Sequence, residues 1–250
     1  MDLRTWILQN NCLDKIKKYG HIQSSIYVVD IDHKKYFIKK LKDQTEYQIT
    51  KELETLCLPT FQTKSLLLPS KIRINRLLRT ISNIPTEKKK IYYYMVSEEI
   101  KGTTFLDELQ NINKEDLENI LEVIFFSLQK AWRTLGFVHL DLHLENIILQ
   151  KINHPMIIDQ DQAVTHYLPV IIDFDRSITK SNMNQDYDHK SIFNDIWKIL
   201  GILSLYLKDE RGEMVLDYLE FFIDRYEYQE RKEEFINLWF NVLPYEIDKI

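Results

Sequence analysis

The sequence predicts an α+β fold in two lobes, a small strand-rich lobe over residues 1–97 and a mainly helical lobe over residues 98–250. Three observations carry this expectation. Short β-branched and aromatic runs dominate the first hundred residues, one helical pattern interrupts them, and after Gly102 the apolar period becomes that of helices.

In chain order, residues 25–31 (SIYVVDI) and 35–39 (KYFIK) read as two strands joined by the polar DHK turn. A helix follows over 43–56, because Ile49, Leu53 and Leu56 recur at i, i+4 and i+7, with Asp43 or Thr45 as N-cap and Pro59 as the stop. Two further strands are expected near 71–78 and 91–96, separated by the polar SNIPTEKKK stretch. Residues 114–135 carry Leu117, Ile120, Leu121, Ile124, Phe125, Leu128 and Trp132 at helical spacing, and Gly136 stands where a C-cap belongs. Short strands return at 147–149 and 170–173, with a loop or small hairpin at 157–168 between them. The chain reads as helical from residue 191 onward.

Composition narrows the function classes. With 44% hydrophobic and 12% aromatic residues, the 250-residue chain can bury a sizeable core. A net charge of −5 supplies no whole-chain field for nucleic acid or an anionic membrane. Lys71, Arg73, Arg76, Arg79 and Lys88 to Lys90 could form a local basic patch, but read more simply as a solvated hairpin, and Asp159 and Asp161 have the same status. Cys12 and Cys57 alone make no disulfide framework and suit a reducing compartment. The apolar stretches 121–128 and 200–207 fall far short of the roughly 20 residues that span a bilayer. The opening MDLRTWILQN lacks the parts of a signal peptide, so a cytoplasmic location is expected. The sequence specifies no oligomeric state.

The chemistry is concentrated in His139 to Asn146, HLDLHLEN, which follows the long helix and precedes an apolar strand. Downstream, IIDFDRS ends a strand at Asp173 and Phe174, and FNDIWKILGIL sets Asp195 at the head of an apolar helix. Upstream stand FIKK and YMVSEEIKGTTFLDEL. Taken singly, His139 reads as a core histidine and Asp173 as a strand-end cap. As an ordered set they resemble the catalytic loop, the metal-binding DFG motif, the bracing aspartate, the phosphate-binding lysine strand and the hinge of the protein kinase superfamily, over roughly residues 19–205.

The resemblance implies a two-lobed protein-kinase-like fold with ATP and Mg2+ in the cleft. It gives Lys39 to the α- and β-phosphates, with Lys40 on the opposite strand face as the alternative. Asn146 and Asp173 would hold the metal, Asp141 would orient or accept the proton of the acceptor hydroxyl, and His143 would lie near the transferred phosphate. The hinge backbone of Glu98 to Ile100 would meet adenine, and the loop containing Gly20 and Ser24 would cover the phosphates. Glu46, or alternatively Glu52, would orient Lys39.

The sequence also departs from that pattern. The phosphate-covering loop YGHIQSSIY has one glycine, Phe37 stands where a small residue usually roofs the adenine, and Asp175 replaces the motif glycine. Only 22 positions separate Asp173 from Asp195, short for a platform that grips a peptide. The HxDLHxxN form and the hairpin region 153–168 resemble kinases of large DNA viruses and haspin-like kinases, which would set the protein in host cytoplasm or a virion. The expectation is a Ser/Thr protein kinase. A small-molecule kinase of the aminoglycoside or choline type, or a catalytically silent nucleotide-binding scaffold, are the alternatives.

Overall fold

A computed structural model describes residues 1–19, 26–61, 64–71, 73–77, 90–156, 165–182 and 190–225. Helix α1 (Leu3–Gln9) opens the chain, its first turn capped by Asp2, which accepts from the Thr5 N–H at 2.9 Å. Strands β1 (Lys17–Lys18), β2 (Ile26–Ile31) and β3 (Lys34–Leu41) follow, then helix α2 (Thr45–Glu54). Strand β4 (Ser65–Ser70), a single helical turn α3 (Ile74–Leu77) and strand β5 (Tyr92–Glu98) complete an antiparallel sheet of order β1-β2-β3-β5-β4.

The β2–β3 connection is a two-residue turn, with Asp32 at φ 48° and His33 at φ 63°, so Lys34 already belongs to β3. Both residues tolerate the left-handed region that a two-residue hairpin demands. Period-two alternation then divides the sheet. Tyr27, Val29, Ile31, Ile38, Tyr92, Tyr94 and Val96 form a buried face, on which α1 and the segment after it lay Leu3, Trp6, Ile7, Cys12 and Ile16. Phe37, Lys39, Met95 and Ser97 point the other way, into a cavity.

The strand expected at 71–78 is not there. The edge strand lies at Ser65–Ser70, and residues 74–77 form α3. Pro69 sits within β4, which a sheet edge permits because the missing N–H is not needed by a further strand. The cap of α2 also differs in detail: Gln44 holds the N-cap position, while Asp43 one residue earlier accepts from the Thr45 N–H at 2.8 Å.

After Glu98 the chain crosses to a second sheet of β6 (Thr103–Thr104), β7 (Ile147–Met156) and β8 (Thr165–Ile171). Helix α4 (Phe105–Glu108) and the long helix α5 (Lys114–Leu135) lie between β6 and β7 in sequence, and α5 packs on β8. Gly136 ends α5 in the left-handed conformation at φ 63°. Strands β7 and β8 are longer than expected and pair antiparallel, in line with the small-hairpin alternative; residues 157–164, with Asp159 and Asp161, lie outside the described residues. Helices α6 (Lys190–Tyr206) and α7 (Glu210–Arg225) follow.

The architecture is α+β, as expected, with a strand-rich part before Glu98 and a mainly helical part after it. By compactness the chain divides into Met1–Asp195 and Ile196–Ile250. Both sheets belong to the first unit, and the expected lobe boundary near Ser97 falls inside it. In the second unit Leu200, Leu203, Leu207 and Val215 are buried. No helix among the described residues is long and apolar enough to cross a membrane.

Candidate active site

Between the two sheets of the first unit lies a cavity of about 560 Å3. Its walls come from β3, α2, β5, the Glu99–Thr104 crossing, the turn before β7 and the Ile172–Phe174 stretch. These elements are distant in sequence and are joined by the folding of the hairpins.

Lys39 projects into this cavity from β3, and its Nζ lies 2.8 Å from Glu46 Oε1 and 2.5 Å from Asp173 Oδ1. Burial alone would drive its pKa down, but Glu46 and Asp173 outweigh that and hold the ammonium above its usual value. Burial pushes the Glu46 carboxyl up, against the pull of Lys39. Glu46 is therefore the partner of Lys39, while Glu52 accepts from the Ser181 hydroxyl. Lys40 points to the other face, its Nζ 5.6 Å from the centre of the Tyr92 ring.

The catalytic-loop motif is fixed from inside the protein. Asp195 at the head of α6 accepts from the His139 N–H at 2.7 Å and the Leu140 N–H at 3.0 Å, one on each carboxylate oxygen. Two charge-assisted bonds hold Leu140 at φ 64°, a conformation that costs a non-glycine residue about 1 kcal/mol. His139 is wholly buried, with Nε2 3.0 Å from the Ile172 carbonyl and Nδ1 accepting from the Asp141 N–H at 3.3 Å. This pattern needs the neutral ring with its proton on Nε2, and burial lowers the pKa accordingly.

Asn146 is buried, and its Nδ2 donates to the Asp141 carbonyl at 3.0 Å, which leaves its side-chain oxygen for another partner. Asp173 stands at φ 65° on the cavity wall. The left-handed residue of IIDFDRS is thus Asp173; at Asp175, expected to matter for its missing glycine freedom, the backbone is not left-handed. Phe174 turns inward, its ring 6.0 Å from Phe137, 5.6 Å from His139 and 6.5 Å from Phe61. Asp141 lies on the same loop with Arg176 Nε 3.6 Å from its Oδ2, and His143 Nδ1 is 3.7 Å from Glu145 Oε2.

The set fits a hard cation and a polyphosphate. Asn146 and Asp173 offer oxygen donors on one wall, the ligand type Mg2+ prefers, and no cluster of three or more His, Cys, Asp or Glu suited to a metal occurs among the described residues. At the hinge, Glu98, Glu99 and Ile100 line the cavity. The Glu98 N–H donates to the Lys64 carbonyl at 3.1 Å and the Glu99 N–H to the Lys35 carbonyl at 2.8 Å, so the Ile100 backbone is the better placed to meet a base. Phe37 lines the same end, edge-on to Tyr19 at 5.3 Å. Gly20 and Ser24 lie outside the described residues.

Sequence reasoning gave no role to α1, although Asp2 with Leu3, Trp6 and Ile7 at i, i+3 and i+4 is a helix signal. It also gave none to Arg176.

A RIO domain family model matches residues 73–193. Uncharacterized protein 179R of Invertebrate iridescent virus 6 is 30% identical over 109 residues, covering 37% of this chain and 9% of that protein. Probable kinase 098L of Invertebrate iridescent virus 3 is 31% identical over 113 residues, covering 41% and 22%. The chain therefore spans less than a quarter of the length of either viral relative. The solved kinase PK-1 of Cydia pomonella granulovirus superposes with a TM-score of 0.40 at 15% identity, covering 74% of this chain and 59% of that one. The RIO-domain match takes in the HLDLHLEN motif and Asp173, the fold brings Lys39 and Glu46 from outside it into the same cavity, and over residues 73–193 the chain is similar to RIO-domain kinases.

Proposed function

We propose that the chain is an ATP-dependent phosphotransferase that moves the γ-phosphoryl group to an alcohol, with the hydroxyl of a protein serine or threonine as acceptor. The observation that supports this reading most is the Glu46–Lys39–Asp173 chain of ion pairs on the wall of a cavity that also holds Asn146. Such a chain serves no core, since Asp173 is exposed. It presents a fixed cation and oxygen donors where a polyphosphate would lie.

In this reading Lys39 holds the α- and β-phosphates, and Glu46 keeps its stem from rotating away. Asn146 and Asp173 would hold Mg2+, which supplies charge neutralisation on the phosphate oxygens. Asp141 orients the acceptor hydroxyl and takes its proton as the oxygen bonds to the γ-phosphorus and ADP leaves with the electron pair of the broken bond. His143 is the second side chain on the acceptor side, and the Ile100 backbone meets the adenine. The viral relatives, one of them named a probable kinase, support a viral kinase.

A small-molecule alcohol is the second reading, favoured by the short span from Asp173 to Asp195, which offers little surface to grip a peptide. Transfer of labelled γ-phosphate to a protein mixture, run beside a panel of metabolite alcohols, tests both. Label on serine or threonine of proteins supports the first reading, and label on a metabolite alone replaces it with the second. No transfer to either by a chain that binds Mg-ATP would leave a silent scaffold.

A further inference from the structure

Arg176 carries none of the roles assigned above, yet its guanidinium stands beside the group proposed as base, with Nε 3.6 Å from Asp141 Oδ2. Its side chain is 66% exposed, whereas that of Asp141 is 25% exposed, so the arginine is the more open of the two to solvent. Its backbone is held firmly. Two positions on, Ile178 exchanges both backbone hydrogen bonds with Val138, at 3.0 and 3.1 Å, and the Ser177 hydroxyl donates to the His139 carbonyl at 3.2 Å. The segment bearing Arg176 is therefore stitched to the Val138–His139 stretch that leads into the HLDLHLEN loop.

Charge accounting at the site gives this placement its meaning. Lys39 is committed to Glu46 and Asp173 at the inner end of the cavity. On the acceptor side His143 faces Glu145 at 3.7 Å, and an imidazole is charged only when protonated. A guanidinium is charged at every working pH and presents a planar fork suited to phosphoryl oxygens. Phosphoryl transfer is accelerated mainly by fixed positive charge around the equatorial oxygens of the transferring group.

We infer that Arg176 is the cation that contacts the transferring phosphoryl group, leaving its resting pair with Asp141 when nucleotide and acceptor are in place. The inference rests on the phosphotransferase reading. As the acceptor oxygen bonds to the γ-phosphorus and the bond to ADP breaks, the guanidinium would stabilise the equatorial oxygens while Asp141 receives the hydroxyl proton.

The test needs no knowledge of the acceptor. Dissociation constants of Mg-ADP are measured with and without aluminium fluoride, a mimic of the transferring phosphoryl group, for the full chain and for Arg176→Gln, Arg176→Lys, Asp141→Asn and the Asp141→Asn/Arg176→Gln double variant. The unmodified chain should bind Mg-ADP and tighten on adding fluoride. Arg176→Gln should bind Mg-ADP within about twofold of the unmodified chain but lose the fluoride gain by about tenfold or more, with Arg176→Lys intermediate. The same loss should appear on the Asp141→Asn background, because the contact is direct. A fluoride gain retained in Arg176→Gln, a loss that vanishes on the Asp141→Asn background, or ADP binding with no fluoride gain in the unmodified chain each overturns the role of Arg176 alone. Failure of the unmodified chain to bind Mg-ADP overturns the phosphotransferase reading and this role with it.

Discussion

At the scale of single residues, the proposed function assigns binding and turnover to different side chains. Asp141 lies on the catalytic loop and Asp173 on the cavity wall, so their amide variants should fail differently. Asp141→Asn is expected to keep Mg-ATP affinity and to lower turnover by about 10²- to 10⁴-fold, the range for loss of a general base, in a steady-state assay. Equal damage to binding would contradict that division. His139 makes a pH prediction. Its folded pKa is depressed from 6.5 by burial, so unfolded chains take up a proton that the folded state refuses. The stabilisation from this group is complete above about pH 6.5 and is lost as pH falls toward the lower folded value, at up to about 1.4 kcal/mol per pH unit. Denaturant titrations between pH 7.5 and 5.5 should show a smaller slope for His139→Gln, and identical slopes would refute it. The types and order of these residues were legible in HLDLHLEN and IIDFDRS. Glu46 as the partner of Lys39 was legible only narrowly, because Glu52 also fits a helix facing β3 and only the three-dimensional course of α2 separates them.

At the scale of elements, close approaches and caps hold the site. A Cβ on Gly102 would stand 2.4 Å from the Leu149 carbonyl oxygen, a backbone atom that cannot step aside. Gly102→Ala should therefore destabilise by about 1–3 kcal/mol, as overpacking does, and shift the crossing that carries Ile100. A thermal midpoint equal to that of the unmodified chain would remove this glycine from the account. Helix α1 makes a matching claim for the first sheet, where Trp6 is buried and meets Tyr36 edge-on at 6.2 Å. Trp6→Ala should cost about 3–5 kcal/mol of stability by denaturant unfolding, and a change under 1 kcal/mol would mean that α1 is not part of the folded core. Helix α5 was readable to the residue, because a 22-residue amphipathic stretch with a glycine stop has few alternatives. Strand β4 was not, because Pro69 argues against a strand until the sheet order shows it to be an edge.

At the scale of the whole molecule, the described arrangement is already assembled: Lys39 is paired, Asp173 is on the cavity wall, Phe174 is inward and the catalytic loop is braced by Asp195. Ser177 and Thr179 are buried, and Leu140 offers no cation to a phosphorylated loop residue. Ser181, close by, carries an exposed hydroxyl. A phosphate-free preparation, checked by intact mass, should transfer phosphate without a lag, and Ser181→Ala should do the same; a lag removed by pre-incubation with ATP would contradict this. The fold class was legible because motif order and element order agree along the chain, whereas the division of the chain after Asp195 leaves no mark in composition. The central claim, that this cavity is a metal-dependent nucleotide site, is tested most directly by titration calorimetry of a non-hydrolysable ATP analogue. The unmodified chain and Asp173→Asn are each compared with Mg2+ and with a chelator. The account predicts binding by the unmodified chain that weakens at least about tenfold in chelator, and an Asp173→Asn variant that is weak in both conditions. Affinity indifferent to Mg2+ and to Asp173→Asn, or no binding at all by the unmodified chain, would contradict it.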